Sequence, residues 1–470
     1  MKRLNINICK TKSRKILAPV LFSLLLFFGS CKKFIEIGPP KTEITSSTVF
    51  SNDATAISAI KGIYSLMMTN QSFANGQMEM YTGLLSDELL NYSGSSEQTQ
   101  FSLPSLISTN NIVYNFFWKE AYTYINNANA MLEGLEQSTT LTVAIKNQLK
   151  GEAKFIRAFC HFYLVNLFGD VPYITTTNYK INSVTARMSM ADVYQKIIED
   201  LTDAQSLLAD DFLFSRNERT EPNKGAVTAL LARVYLYTGD WIKAETQATS
   251  LINNAANYSL VTNLNNVFLA NSKETIWQLQ PVIPGLNTFQ GVLFILTDVP
   301  ANVYGVSLSS SVVNSFETGD NRKTAWIGTY TNGSATYYYP YKYKINYSSS
   351  LSEYAMVFRL AEQYLIRAEA RAQQNNIAGA QNDINMIRNR AGLGNTSSGD
   401  RSSLLMAIEK ERVTELFTEW GHRWLDLKRT KRANSVLGPI KMDWQATDTL
   451  LPIPQKEILV NPHLTQNPGF

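Results

Sequence analysis

The chain has 470 residues, with 43 Lys and Arg against 39 Asp and Glu, a formal charge of +4. A hydrophobic content of 44% with 17% charged residues excludes an intrinsically disordered chain. Six basic residues (Lys2, Arg3, Lys10, Lys12, Arg14, Lys15) lie in the first 30 positions, which hold no acid; the remainder is therefore at −2, which excludes a nucleic-acid binder, whose basic excess would sit in the folded body.

The basic stretch 1–15 leads into an uncharged run from Ile16 to Ser30. That run is shorter than the roughly 20 apolar residues a membrane span needs, and the order basic-then-apolar is that of an export signal. Phe28-Gly29-Ser30-Cys31 resembles the lipobox of bacterial lipoproteins, with Phe28 where that motif prefers Leu. The resemblance implies that residues 1–30 are removed and that Cys31 is acylated, each buried methylene contributing about 0.8 kcal/mol to anchoring. Cys9 leaves with the leader, so Cys160 stands alone in the body and no intramolecular disulfide is expected. Residues 31–52, broken by Gly38-Pro39-Pro40, are expected to be a tether.

Beyond Asn52 the helical period dominates. Ile57, Ile60, Tyr64 and Met67 share one face; Trp118, Tyr122, Ile125, Asn129 and Leu132 share another. Residues 152–168 carry the wide apolar stripe of a largely buried helix, stopped at Gly169-Asp170-Val171-Pro172. Ser189 with Asp192 resembles a capping box opening the helix of Val193, Ile197, Leu201 and Leu208. Two later segments read as copies of one helix pair. Val227, Leu230, Leu231 and Val234, a turn at Gly239-Asp240, then Trp241, Ala244, Ala248 and Leu251 form the first; Leu360, Tyr364, Leu365 and Ala368, a turn at Asn375-Asn376, then Ile377, Ala380, Ile384 and Ile387 form the second. Equal spacing and the small Ala244 and Ala380 fit tetratricopeptide-like pairs; two unrelated amphipathic hairpins are the alternative. Between them, 256–350 lacks sustained period. Tyr258-Ser259-Leu260 and Thr275–Leu279 alternate like short strands, and Pro281–Ser350 is an irregular, loop-rich region of the kind that carries function.

Chemical motifs are sparse. His161, His422 and His463 are far apart; no zinc spacing, phosphate-cradling loop, nucleophile elbow or calcium loop occurs, and no cofactor is expected. Asp87-Glu88 is the tempting carboxylate pair, expected to be solvated or capping. Glu411, Glu415, Glu419 and Arg423 follow a four-residue step suited to ion pairs on a helix surface, with Phe417, Trp420 and Trp424 as packing. One composition feature points to binding. Seven tyrosines fall between Tyr330 and Tyr347, with Trp326 just ahead. Aromatic faces stack on the C–H faces of sugars, and Trp326, Tyr330, Tyr337 and Tyr338 are the candidate ligand-binding residues. In alternation, Tyr339, Tyr341 and Tyr343 equally suit one side of a structural strand.

The chain resembles the SusD/RagB family of Bacteroidetes outer-membrane lipoproteins over its mature length. The resemblance rests on Cys31 followed by FIEIGPP, on GEAKFIRA (151–158) running to LFGDVP, and on LLARVYLYTGDW, FETGDNR, KYK and FRLAEQYLIRAEA. ELFTEWGHRWLDLKRT and the closing LPIPQKEILVNPHLTQNPGF complete it. It implies an all-α-dominated fold of tetratricopeptide-like pairs, with long loops and a few short strands over one side. The expected organisation is a signal at 1–30, a lipidated tether at 31–52, an N-terminal helical region at 53–255, the irregular region at 256–350 and a C-terminal helical region at 351–470, with 53–470 one body. It also implies a lid-like partnership with a SusC-like TonB-dependent transporter, capture of an oligosaccharide or, as in RagB-like members, a peptide, and no covalent chemistry. A surface glycoside hydrolase and a pure protein scaffold are the rival readings. Cell-surface display at the outer membrane is expected, although Lys32-Lys33 occupy the place of an acidic export tract.

Overall fold

Helix starts are written in side chains that accept the backbone N–H groups a first turn leaves unpaired. Asn52 accepts from Thr55 N–H at 3.1 Å and opens α1 (Asp53–Met67); Ser189 accepts from Asp192 N–H at 3.2 Å and opens the helix Met190–Leu207. A computed structural model describes residues 46–69, 72–301 and 305–470 of the chain. The signal, Cys31 and most of the tether lie outside the described residues.

Mostly helical, the chain folds as a succession in which each long helix packs on the next. After α1 and α2 (Met78–Leu85) come α3 (Glu120–Gln137), α4 (Val143–Phe168) and α5 (Met190–Leu207). The first helix pair is α6 (Lys224–Thr238) with α7 (Trp241–Asn253), and the second is α8 (Leu360–Gln373) with α9 (Ile377–Arg390). Helices α10 (Arg401–Leu416) and α11 (His422–Arg429) follow. From α3 to α10 every consecutive pair is in contact, and α7 lies on α8, so the two helix pairs stack directly. Ala244 and Ala380 are both fully buried at the equivalent places. The first pair turns at Gly239, whose φ of 76° is open to glycine and closed to most side chains; the second turns at Asn375, φ 60°, asparagine being the side chain that best tolerates that region. Asp240 and Asn376 then cap the second helix of each pair.

Among the described residues three two-stranded antiparallel ribbons complete the body, which runs as one unit from Val49 to Phe470. β1 (Leu89–Asn91) pairs with β3 (Val306–Leu308), β2 (Thr275–Leu279) with β6 (Ala355–Arg359), and β4 (Ile327–Asn332) with β5 (Ala335–Pro340). The β2–β6 ribbon is buried on both faces and carries the centre of the core: Trp277 meets Phe155 edge-on at 5.0 Å and Phe159 at 5.5 Å, and Trp420 meets Phe159 at 5.5 Å. Tyr258–Leu260 differs from the expected strand. Ser259 N–H donates to Lys273 O, but Tyr258 is drawn inward beneath Gly225, with the Arg219 guanidinium 5.4 Å from its ring, and no ladder forms.

The glutamates of 411–419 overturn the expectation of surface pairs. Helix α10 ends at Leu416, and the chain doubles back through Thr418 and Trp420 at φ 49° and 46°. The side chains point inward, toward arginines distant in sequence. Glu415 is fully buried and accepts from Arg322 at 3.0 Å, from Arg359 at 2.5 Å and from Arg390. Arg322 also holds Glu411 at 2.6 Å and Asp320 at 2.8 Å; Arg359 holds Glu419 at 2.7 Å and Glu274 at 2.9 Å. Burial alone would push the Glu415 carboxyl up, but Arg390, Arg359 and Arg322 outweigh it and hold it well below the usual range. Asp87 and Glu88 are likewise not solvated. Arg423 grips Asp87 at 2.7 and 2.9 Å, while Glu88 accepts from Thr418 N–H and is pushed up to about 8 by burial. Cys160 is buried and free, and burial raises its thiol pKa.

Removing a buried charge while leaving its partners in place is among the costly substitutions. Glu415→Gln keeps the shape and takes from three buried guanidinium groups the carboxylate they share, leaving them only their other acids, so it is expected to lower unfolding stability by about 3–5 kcal/mol. A urea midpoint within about 0.5 kcal/mol of the unsubstituted protein would show the network to be dispensable.

Candidate ligand-binding site

The hairpin β4–β5 joins through a two-residue loop, Gly333-Ser334, the short connection that matches strand twist. Its register pairs Tyr330 with Tyr337, Gly328 with Tyr339 and Thr329 with Tyr338. Because side chains alternate across a strand, Tyr330, Tyr337 and Tyr339 share one face, and Tyr338 stands on the other with Thr329, Thr331 and Thr336. Tyr339 lies directly over Gly328: a Cβ there would meet its ring at 2.2 Å, so only glycine lets the ring lie flat across the ribbon. Tyr341 N–H then donates to Trp326 O at 2.7 Å, and its ring meets Tyr339 edge-on at 5.7 Å.

The aromatic face extends beyond the hairpin in both directions. At one end Tyr92, just past β1, meets Tyr337 edge-on at 5.6 Å, its phenol oxygen accepting from Ser307 Oγ at 3.3 Å; Leu90 beside it is 45% exposed. Tyr330 Oη donates to Asp298 at 3.3 Å. At the other end Tyr341 turns into a pocket of about 610 Å³ at the hairpin's root, lined by Thr262, Asn263, Asn265, Asn321, Thr324, Lys344 and Arg390. The Lys344 ammonium sits 4.1 Å from the Tyr341 ring centroid and donates to Tyr341 O and Ala325 O; burial lowers its pKa to about 8. The result is a run of partly exposed phenol rings ending in a hollow of hydroxyls, amides and cations. Flat apolar faces with polar edges, beside convergent hydrogen-bonding groups, suit a ligand built from hydroxylated rings.

Of the candidates read from sequence, Tyr330 and Tyr337 come together on this face. Tyr338, 37% exposed, points from the opposite one. Trp326 is corrected. It ends the short helix Asn321–Trp326 and is fully buried; its indole N–H donates to Leu264 O at 3.0 Å, and its ring packs on Phe268 with Lys342, Arg359 and Arg390 within 6 Å. No face of it is open to a ligand. Tyr92, Lys344, Arg390 and the Asn/Thr wall were missed. Tyr92 is far upstream of the hairpin and carries no local signal, and Lys344 falls out of step with the alternation, whereas Tyr341 continues the alternation through Tyr337 and Tyr339 that the sequence displays. Among the described residues no group of three or more His, Cys, Asp or Glu is placed to hold a metal ion, and no helix is long and apolar enough to cross a membrane.

Residues 34–236 match a family model described as SusD-like, starch-binding and associating with the outer membrane, and residues 309–470 match the SusD family model. The chain belongs to the SusD/RagB family. A SusD-like protein, P2, from Formosa agariphila is 29% identical over 95% of this chain and 98% of its own length. Among solved structures, a SusD superfamily protein from Bacteroides vulgatus shares the fold with a TM-score of 0.77 at 22% identity, over 90% of this chain and 100% of that one. A laminarin-binding SusD-like protein aligns with a TM-score of 0.74 at 25% identity, over the same shares. SusD/RagB membership accounts for the helical frame and for its stacked pairs; the aromatic face is described by this chain's own residues.

The contrast between Trp326 and Tyr338 is measurable. Truncating a buried tryptophan opens a large cavity, so Trp326→Ala is expected to cost about 3–5 kcal/mol of stability, whereas the exposed Tyr338→Ala stays within about 0.5 kcal/mol. Urea denaturation of both variants checks it, and equal midpoints would contradict the assigned burial.

Proposed function

We propose that this SusD/RagB protein is an outer-membrane lipoprotein, anchored through Cys31, that binds an oligosaccharide across the Tyr92–Tyr337–Tyr330–Tyr339 face and hands it to a SusC-like TonB-dependent transporter. The observation that carries the reading is the strip of partly exposed phenol rings continuous with a polar hollow at the root of one hairpin. The starch-binding description of the matched family and the laminarin-binding relative support a glycan over a peptide. Tyrosine suits the task because it offers a large rigid face at little conformational cost, with an edge hydroxyl that stays hydrogen-bonded. The protein performs binding and delivery, without bond breaking. A hydrolase would need two carboxylates flanking one ligand, one of them free to donate a proton, and the acids of 411–419 are instead committed to arginines. Asp298 touches the aromatic face, where it accepts from Tyr330. Cell-surface display follows from the role, since a glycan too large to diffuse through a pore must be met outside.

Titration calorimetry guided by a glycan array tests the ligand class. An oligosaccharide is expected to bind without turnover, and Tyr337→Ala to weaken it by at least about fivefold, near 1 kcal/mol. Binding of peptides alone would overturn the reading in favour of RagB-like uptake.

The anchor is tested separately, by metabolic labelling with palmitate. Cys31→Ala is expected to abolish labelling and release the protein from the membrane fraction; a labelled Cys31→Ala protein would remove the lipoprotein assignment.

A further inference from the structure

The pocket at the hairpin's root has an uneven charge. Its polar wall consists of hydroxyls and amides, with two cations, Lys344 and Arg390; among the described residues no carboxylate lines it. Lys344 makes no ion pair among the described residues. Its ammonium is held by two backbone carbonyls, Ala325 O and Tyr341 O, and by the Tyr341 ring. The carboxylate near it, Glu353, bonds the backbone N–H groups of Lys344 and Ile345, not the ammonium. Neutral dipoles solvate a charge without cancelling it, and Glu353 offsets it only through space, so part of the positive field of Lys344 stays available to whatever enters. Arg390 backs it from the wall. Its terminal nitrogens go to Glu274 and Glu415, but its Nε has no acceptor although the side chain is only 3% exposed. A buried donor left without an acceptor is a place where an oxygen ligand is favoured. Many buried cations of this protein have carboxylate partners, as Arg233 has Glu362 and Arg322 has Asp320, whereas Arg219, Lys428 and Lys441 are held by backbone carbonyls as Lys344 is. What sets Lys344 apart is its place, lining the pocket at the end of the aromatic strip.

We propose that this pocket receives an anionic substituent, a carboxylate or a sulfate ester, of an acidic oligosaccharide whose rings lie along the tyrosines. The inference rests on the glycan-binding reading above and narrows its substrate class. Tyr341 supplies the last stacking face, Lys344 the counter-charge, and Asn263, Asn265 and Thr324 the hydrogen bonds to ring hydroxyls beside it. A half-buried ammonium fixed by two backbone carbonyls is already oriented before the ligand arrives, which limits the ordering cost of binding.

Titration calorimetry with the purified protein tests this in two arms, each probe paired with its uncharged counterpart. One arm uses tetragalacturonate against its methyl ester, and the other uses sulfated neocarratetraose against its desulfated form; a neutral laminarin oligosaccharide is the reference. An acidic probe is expected to bind at least about tenfold tighter than its uncharged counterpart. Preference in the first arm identifies a carboxylate, in the second a sulfate ester, and in both a site that reads charge alone. Thr324→Glu places a carboxylate on an exposed position of the wall, where folding tolerates it, and is expected to abolish or invert that preference; Lys344→Gln is expected to reduce it by about tenfold. Equal binding of charged and uncharged probes, or a preference that survives Thr324→Glu, overturns the proposal. If the neutral laminarin probe alone binds, the acidic-ligand inference fails while the glycan reading stands. If no oligosaccharide on the array or in either arm binds, both fail together.

Discussion

Glu415 sits out of contact with water beneath three guanidinium groups, and those groups come from three different parts of the chain: the short helix before the hairpin, the end of β6 and the end of α9. Removing one carboxylate and three arginines from water is expensive, and an apolar cluster of the same volume would often be as stable. What the ionic arrangement supplies is direction. A guanidinium fork satisfies a carboxylate in few orientations, so the three segments meet in one relative placement. The extra acids, Asp320, Glu411, Glu419 and Glu274, take up the remaining N–H groups, which leaves the cluster largely satisfied and therefore rigid.

That placement governs the candidate site, because both roots of the hairpin are fastened to the same cluster. On the entering side Arg322 is locked to Asp320, Glu411 and Glu415, and Trp326 lies buried four residues later, immediately before β4. On the leaving side Lys342, two residues past Pro340, donates to Glu415 O and Phe417 O at 2.8 Å and to the Glu419 carboxylate. The ribbon between these points is exposed, yet its base cannot pivot without breaking buried ion pairs. The candidate binding surface, on a two-stranded ribbon with little stability of its own, is in this way given the fixed geometry that stacking on rings demands.

The frame was legible in the sequence because helices announce themselves locally. Caps such as Ser189 and Asn376, the stop at Gly169, and the repeat of Ala244 and Ala380 are all readable within one or two turns. The cluster was not. A four-residue step of glutamates looks the same on a solvated helix face as on one turned toward distant arginines, and the partners of Glu415 lie at 322, 359 and 390 with no periodic relation to it. Trp326 was misjudged for a related reason. Its composition suited a ligand platform, but burial is decided by Phe268 and the Leu264 carbonyl, which the neighbouring sequence does not name. The hairpin face was half legible. Tyr337 and Tyr338 read together as ligand candidates, whereas the ribbon sets them on opposite faces, and the pairing that brings Tyr92 to Tyr337 depends on β1 and β3, elements too short to carry a pattern.

The division between frame and ligand face also follows the family match. The charged cluster is drawn almost wholly from the segment matched at 309–470, Glu274 excepted, and the hairpin springs from it. Part of the candidate ligand face is supplied differently: Thr262, Asn263 and Asn265 line the pocket and Asp298 touches Tyr330, and all four lie in the stretch 237–308 that neither matched segment covers. A mounting fixed by buried ion pairs tolerates changes in such a stretch, because the mounting's own partners are elsewhere. Ligand chemistry can then be altered by substituting a few exposed Asn and Thr side chains without repacking the core. The cations of the pocket are placed otherwise: Lys344 and Arg390 both lie in the segment matched at 309–470, and Arg390 is one of the three guanidinium groups on Glu415, so the pocket's charge is tied to the frame while part of its hydroxyl and amide wall is not.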